Sequence, residues 1–165
     1  MSLTADSNTS PLRVLFVCLG NICRSPLAEV VVKEAAQQRG IAELFHFESA
    51  GTGSWHIGLG ADQRSAAKAL QHGLNLNQHA AQQITHDNIS DWDILVAMDA
   101  DNRQNLLAMG AKDEQILMMR MFEQQGAAAD VPDPYYGAHD GFEDVYQMLR
   151  LNADALLVHL QDSRS

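Results

Sequence analysis

Short apolar runs alternate along this chain with longer segments that carry apolar residues at helical spacing. The runs span residues 13–18, 45–50, 93–98 and 115–118, and the helical segments span 26–39, 62–72, 101–109 and 142–160. Strands that alternate with helices favour a parallel sheet, because each connection must cross back over one face of the sheet. The pattern therefore predicts an α/β fold in which helices flank a four-stranded parallel sheet.

The length and composition favour a single globular domain. The chain has 165 residues, of which 46% are hydrophobic and 19% charged, which suits one core without metal or disulfide support. We expect residues 12–162 to form this domain and residues 1–11 to form a flexible, polar tail. The tail lacks the apolar middle of a secretory signal, and no apolar run approaches the roughly 20 residues that cross a bilayer.

The net charge and the number of cysteines restrict the possible partners and the cellular compartment. With 21 acidic and 11 basic residues the formal net charge is -10, which argues against nucleic acid or an anionic membrane as a partner. Two cysteines five positions apart are too few for the disulfide framework of a secreted domain, so we expect a cytoplasmic protein. A local anion site is compatible with the acidic total, because surface charges are largely screened beyond about 8 Å at physiological ionic strength.

The stretch VCLGNICRSP, residues 17–26, joins the first apolar run to the first helical segment. Cys18 ends the run, and ligands of open parallel sheets bind where a strand ends and the next helix begins. Gly20 and Asn21 tolerate a left-handed backbone, so successive N–H groups can converge into an anion site at the positive end of the helix. Pro26 fits a first helical turn, which places the start of the helix near it.

Arg24 and Ser25 complete this stretch chemically. The guanidinium offers a planar pair of donors that matches two phosphate oxygens, and both side chains can stabilise a thiolate at Cys18. A cysteine that ends a buried strand is by itself usually inert, but its spacing to the arginine reverses that interpretation. Cys23 has no arginine six residues on, only Glu29, and two cysteines are too few to hold a metal. The stretch therefore predicts a nucleophilic Cys18 in a phosphate-binding loop.

Asp133 is the candidate for a proton donor. It lies between Pro132 and Pro134 in the segment 126–141, whose glycines and prolines are typical of a long surface loop. The two prolines restrict the backbone, which suits a carboxylate that must hold a fixed position. An Asp-Pro pair on its own more often marks a simple turn.

Aromatic and apolar side chains are candidates for the walls of a substrate pocket. Trp55 follows the turn-forming stretch GTGS, and Tyr135 and Tyr136 lie on the proline-rich loop. Exposed aromatic rings would offer flat faces to a phenyl group. Leu19 and Ile22 would complete an apolar slot of the size of a phenol.

Two motifs carry a family resemblance. The sequence VLFVCLGNICRSPLA at 14–28 resembles the signature of the low-molecular-weight protein tyrosine phosphatases, bacterial members included, and VPDPYYG at 131–137 resembles that family's second motif. The similarity covers residues 14–157, nearly the whole chain. It implies a three-layer flavodoxin-like fold, phosphomonoester hydrolysis through a phosphocysteine intermediate, and no metal or other cofactor.

The resemblance also implies roles for individual residues. Cys18 would be the nucleophile, Arg24 the phosphate-binding cation, and Asp133 the acid that protonates the leaving phenolate and then deprotonates water. The residues that would bind phosphate or support the loop are Leu19, Gly20, Asn21, Ile22, Cys23, Ser25, Ser49, His79 and Asp99. The pocket walls would be Trp55, Tyr135 and Tyr136, with His56 at the rim.

Two positions qualify this assignment. The family commonly carries an arginine where this chain has Gln82, so any salt bridge normally made there is in doubt. Asp99 would position Arg24 in the family, whereas the sequence alone favours a simple helix cap at that residue.

Three other functions stay open at this point. Arsenate reduction uses a related loop but needs more cysteines than Cys23 to relay a disulfide. Hydrolysis of phosphoarginine is found in relatives that carry threonine where this chain has Ile22. A binding module without catalysis would lack the nucleophile or the acid, and both are present here.

The resemblance implies phosphotyrosine proteins as substrates and, for a bacterial source, a tyrosine kinase that governs surface polysaccharide as a partner. It also implies that inorganic phosphate or other oxyanions bind at the site. Because Cys23 is close to Cys18 in sequence, we further expect a reversible protective disulfide between them under oxidation.

Overall fold

The computed structural model describes residues 10–123, 130–134 and 141–164. Within these ranges the strands are β1 Leu12–Cys18, β2 Phe45–Gly51, β3 Ile94–Ala97 and β4 Ile116–Met118. The helices are α1 Arg24–Gln38, α2 Gln63–Gln71, α3 Ala100–Ala108 and α4 Gly141–Arg164. Each of the strands and helices that the sequence predicts is therefore present.

All strand pairs are parallel, and the order across the sheet is β2-β1-β3-β4. The order reverses between β1 and β3, which is the arrangement of flavodoxin-like sheets. Val17 pairs with Ala97, so these two strands end at the same level. The crevice outside their carboxyl ends is the place where such sheets bind ligands, and β1 delivers Cys18 to it.

Helices cover both faces of the sheet, which confirms the predicted three-layer α/β fold. Alternate residues of β1 divide between two cores: Val14 and Phe16 pack with α1 and α4, whereas Leu15 and Val17 pack with α3. All four side chains are at most 1% exposed. Because both faces are covered, the strand needs apolar residues on both sides, which explains its continuous apolar run.

The helix α4 follows the predicted apolar periodicity. Its buried residues are Phe142, Val145, Tyr146, Leu149, Asn152, Ala153, Leu156, Leu157 and Leu160. The helix α1, by contrast, begins at Arg24, two residues before the predicted start at Pro26. Proline fits more than one position of a first helical turn, so its presence alone does not fix where the helix begins.

Three-residue 3₁₀-helices precede β2, β3 and β4, at Ala42–Leu44, Ile89–Asp91 and Asp113–Gln115. Elements this short carry no apolar periodicity, so they were not predicted from the sequence. Residues 1–9 of the predicted tail and most of the predicted 126–141 loop, with Tyr135 and Tyr136, lie outside the described residues. None of the helices in the described ranges is both long and apolar enough to span a bilayer.

Two leucines of α4 test how far its buried face stabilises the fold. Leu149 is fully buried, whereas Leu151 is 70% exposed. Leu149→Ala should lower the free energy of unfolding by about 2–5 kcal/mol, because it removes packed methyl groups and leaves a cavity. Leu151→Ala, the matched control in the same helix, should change it by less than about 0.5 kcal/mol. Urea unfolding measures both, and equal losses would contradict the assignment of the core face.

Candidate active site

Residues 18–25, here called the 18–25 loop, turn from the end of β1 into α1. The segment after β2 holds the start of this loop through its backbone: the N–H of Thr52 donates to the carbonyl of Cys18 at 3.0 Å, and the N–H of Gly53 donates to that of Leu19 at 2.9 Å. A Cβ atom at Gly51 would come within 2.7 Å of the Leu19 carbonyl oxygen. Only glycine allows this approach, a requirement that sequence reasoning missed although Gly51 directly follows a predicted strand.

Asn21 fixes the shape of the loop. It is fully buried, and its φ of 58° lies in the left-handed region, which asparagine tolerates better than most residues. Its Nδ2 donates to the hydroxyls of Ser25 and Ser49 at 2.9 and 3.0 Å, and its Oδ1 accepts from the N–H of Gln82 at 2.9 Å. Its carbonyl oxygen lies 2.6 Å from Nε2 of His79. Ser25, Ser49 and His79 thus converge on Asn21, which holds a strained turn in place.

The sulfur of Cys18 lies within the curve of this loop. The N–H of Asn21 donates to Sγ at 3.3 Å, and the hydroxyl of Ser25 lies 3.0 Å from Sγ. Because Asn21 already donates to that hydroxyl, Ser25 can direct its own proton to the sulfur; the carbonyl of Ala50 is a more distant acceptor at 3.5 Å. The loop therefore offers the sulfur two donors, as a thiolate requires.

Arg24 places a guanidinium beside the sulfur while being only 3% exposed. Its Nη1 donates to Asp99 at 2.6 Å and to the carbonyl of Val131 at 3.0 Å, and its Nη2 lies 3.7 Å from Asp133. Burial would lower the pKa of Arg24, but the charges of Cys18 and Asp99 outweigh it and raise that pKa above its usual value. A buried charge needs such partners, since an unpaired one is costly.

Asp99 serves two purposes with its two oxygens. Oδ1 accepts from the N–H of Asn102 at 2.8 Å and caps α3, and Oδ2 pairs with Arg24. The sequence alone favoured the cap, whereas the resemblance implied the contact with Arg24, and the structure contains both. The loop after β3 thereby orients the cation that the loop after β1 supplies.

A cavity of about 360 Å³ opens beside the sulfur. It is lined by Cys18, Leu19, Gly20, Ile22, Cys23, Arg24, Trp55, His56 and Asp133. Every one of these residues was singled out from the sequence. Trp55 is 68% exposed, and its ring lies against Gly53, so the rim of the cavity is aromatic. The predicted walls Tyr135 and Tyr136 lie outside the described residues.

Gln82 makes contacts of its own where the family commonly carries arginine. Its Nε2 donates to the carboxylate of Glu48 at 2.9 Å and to the carbonyl of Ser49 at 2.8 Å. Burial would raise the pKa of Glu48, but hydrogen bonds from Gln82 and His46 outweigh it and lower that pKa. The side-chain amide of Gln82 therefore makes hydrogen bonds at this position. The contact of Gln82 with Asn21 comes from the backbone N–H of Gln82, so it does not depend on which side chain is present.

Cys23 lines the cavity but lies in a different environment from Cys18. It is 6% exposed, and burial, followed by the negative charge of Asp62, raises the pKa of its thiol. Both cysteines are reduced in the structure. A neutral thiol at Cys23 agrees with the prediction that the nucleophile is elsewhere, and the protective disulfide stays a prediction.

Across the described ranges, no three His, Cys, Asp or Glu side chains come together in a way that could hold a metal ion. Arg24 lines the cavity, and its guanidinium could bind the oxygens of an oxyanion there.

Comparison with known proteins agrees with this arrangement. Residues 13–165 match the family model of the low molecular weight phosphotyrosine protein phosphatases. The chain is 39% identical over 155 residues to the low molecular weight protein-tyrosine-phosphatase of Streptomyces coelicolor, an alignment that covers 91% of this chain and 94% of the relative. It is 40% identical over 143 residues to low molecular weight protein-tyrosine phosphatase A of Mycobacterium tuberculosis, with 86% of each chain covered.

The fold agrees as well. The crystal structure of YfkJ from Bacillus subtilis superposes with a TM-score of 0.88 at 34% identity, covering 96% of this chain and all of YfkJ. The residues that the family model matches, 13–165, include both the 18–25 loop and Asp133. The chain therefore belongs to the low molecular weight phosphotyrosine protein phosphatase family.

Proposed function

We propose that this chain is a phosphotyrosine protein phosphatase that hydrolyses aryl phosphomonoesters, with Cys18 as its nucleophile. Membership of the family supports the reaction. One observation supports the assignment of residues: a sulfur with two donors, a buried guanidinium and a carboxylate all border one cavity of about 360 Å³.

In the first step, the Cys18 thiolate attacks phosphorus in line with the bond to the phenolic oxygen. Arg24 and the N–H groups of the 18–25 loop hold the three equatorial oxygens, where charge gathers in the transition state. Asp133 gives its proton to the leaving oxygen as the P–O bond breaks. The products of this step are a phenol and a phosphocysteine, and Asp133 is left as a carboxylate.

In the second step, water attacks the phosphocysteine and Asp133 takes a proton from it. The S–P bond breaks, inorganic phosphate leaves, and the sulfur returns to a thiolate that Ser25 and Asn21 can stabilise. Asp133 is protonated again and ready for the next cycle. One residue thus acts as acid and then as base.

The shape of the cavity favours phosphotyrosine over phosphoserine. Leu19, Ile22 and Trp55 form apolar walls between solvent and the sulfur. We expect a phenyl ring to pack against these walls, and we expect the shorter side chain of phosphoserine to hold phosphorus farther from the sulfur. We propose cytoplasmic phosphotyrosine proteins as substrates, a bacterial tyrosine kinase among them, and inorganic phosphate as a competing ligand.

Replacing the nucleophile tests the proposal directly. Cys18→Ser should reduce turnover of p-nitrophenyl phosphate to background, because a hydroxyl is a far weaker nucleophile than a thiolate. Inorganic phosphate should still bind, since Arg24 and the loop N–H groups remain, and calorimetry measures that binding. Leu151→Ala, on the exposed face of α4, is the control and should keep its turnover. Unchanged activity of Cys18→Ser would refute the mechanism.

The effect of replacing the acid should depend on the acidity of the phenol that leaves. Asp133→Ala should lower kcat/KM for phenyl phosphate by about 10²- to 10⁴-fold, the usual contribution of general acid catalysis. An aryl phosphate with a strongly acidic phenol needs little protonation and should lose far less. Rates across a series of substituted phenyl phosphates measure this difference. A loss that is independent of the phenol would exclude Asp133 as the acid.

Substrate choice separates this function from its alternatives. Peptides with phosphotyrosine should be hydrolysed and peptides with phosphoarginine or phosphoserine should not, because Ile22 presents an apolar wall to the cavity.

Rapid-mixing kinetics should show a burst of p-nitrophenol equal in amount to the enzyme present. Preference for phosphoarginine would overturn the proposed specificity, and binding without any release of phenol would indicate a module without catalysis.

A further inference from the structure

The position of Asp133 depends on how the segment 130–134 is fixed. The N–H of Val131 donates to the carbonyl of Met98 at 2.8 Å, and the carbonyl of Val131 accepts from Arg24. Pro132 follows directly and restricts the backbone next to Asp133. The direction that the chain takes through residues 130 and 131 therefore sets where the carboxylate of Asp133 lies.

Asp130 supplies two further anchors, and neither comes from a residue that lines the cavity. Its Oδ1 accepts from the N–H of Ala100 at 3.0 Å, at the amino end of α3. Its carbonyl oxygen accepts from Nη1 of Arg120 at 2.8 Å. Arg120 lies in the turn that follows β4, so this contact joins the far edge strand of the sheet to the segment that carries Asp133.

Arg120 is itself held firmly. Its Nε and Nη2 donate to the two carboxylate oxygens of Glu123 at 2.7 and 2.9 Å, a bidentate pair. The side chain of Asn152, in α4 and 2% exposed, donates to Glu123 at 2.8 Å. The hydrogen bond from Arg120 is the main cause that lowers the pKa of Glu123 to about 2, so the pair is charged at neutral pH. The guanidinium is thus fixed in one orientation, with Nη1 directed at Asp130.

We propose that Arg120 is a positioning residue for the acid of the reaction. By holding the carbonyl of Asp130, it fixes the direction of the segment 130–134 and so keeps the carboxylate of Asp133 at the leaving oxygen. It does this without touching substrate. The inference rests on the proposed role of Asp133, and it differs from a purely structural role because it ties Arg120 to one step of the chemistry.

The loss of activity in Arg120→Gln should therefore depend on how much protonation the leaving group needs. The variant should lose roughly tenfold in kcat/KM for phenyl phosphate, less than the full contribution of a general acid, because Asp133 is present but misplaced. For 2,4-dinitrophenyl phosphate the loss should be about twofold or less. Arg39→Gln is the matched control: Arg39 also pairs with a carboxylate, Asp154, at 3.7 Å on a distant surface, and both rates should stay unchanged.

A double variant separates positioning from general damage. When Asp133 is already alanine, Arg120→Gln should cause no further loss with phenyl phosphate, since residues that act through one group are not additive. The inhibition constant of inorganic phosphate should change far less, because Asp99, which lies outside the segment 130–134, still holds Arg24. Equal losses with both substrates, additive losses in the double variant, or an equally large loss of phosphate binding would overturn the inference.

Arg120→Lys gives a second variant in case Arg120→Gln does not fold. Lysine carries its donors on one nitrogen and lacks the planar fork with which Arg120 holds Glu123 on one side and Asp130 on the other, so the same dependence on leaving group is expected with the charge retained. Thermal unfolding shows whether each variant is folded. If Asp133→Ala itself shows no dependence on leaving group, the proposed function fails; if only the Arg120 variants show none, the positioning role fails alone.

Discussion

A left-handed turn at Asn21 is the constraint on which the site depends. A non-glycine residue in this conformation costs of order 1–3 kcal/mol, and it persists only where its surroundings determine it. Here every polar group of Asn21 has a partner: its carbonyl faces His79, its amide contacts two serines and a backbone N–H, and its own N–H points at the sulfur. These hydrogen bonds offset the strain at Asn21 and hold the loop in a curve around Cys18.

A second constraint joins the two halves of the sheet. The chain reverses its direction of winding between β1 and β3, and the loops that follow these strands meet through Arg24 and Asp99. Because Asp99 also caps α3, the orientation of the guanidinium is tied to a helix and not to a mobile side chain. The topology thus brings the cation and the proposed nucleophile together at one edge of the sheet.

Much of this arrangement could be predicted from the sequence, because its signals are local. Continuous apolar runs indicated buried parallel strands, and the spacing from Cys18 to Arg24 indicated a loop that binds an oxyanion. The start of α1 was misplaced, since proline fits several positions of a first turn. The steric need for Gly51 was missed because it depends on the path of the Leu19 backbone, which no local pattern encodes.

Contacts between distant segments could not be predicted from the sequence either, because no local pattern encodes which distant residues meet. Gln82 replaces an arginine of the family, and its value could be judged only once Glu48 and the carbonyl of Ser49 were placed beside it. Arg120 showed no motif at all, and its importance follows from a carbonyl ten residues away along the chain. The segment that contains Tyr135 and Tyr136 lies outside the described residues, so their part in the pocket is still an expectation.

The partners of the 18–25 loop come from far along the chain, and this has a consequence for synthesis in the cell. Asn21 and Gln82 are separated by 61 positions, Arg24 and Asp99 by 75, and Arg24 and Val131 by 107. A chain still on the ribosome has the nucleophile from the beginning, but it lacks the cation's partners until most of translation is complete. The contacts that orient Arg24 can therefore form only after Asp99 and Val131 have been synthesised.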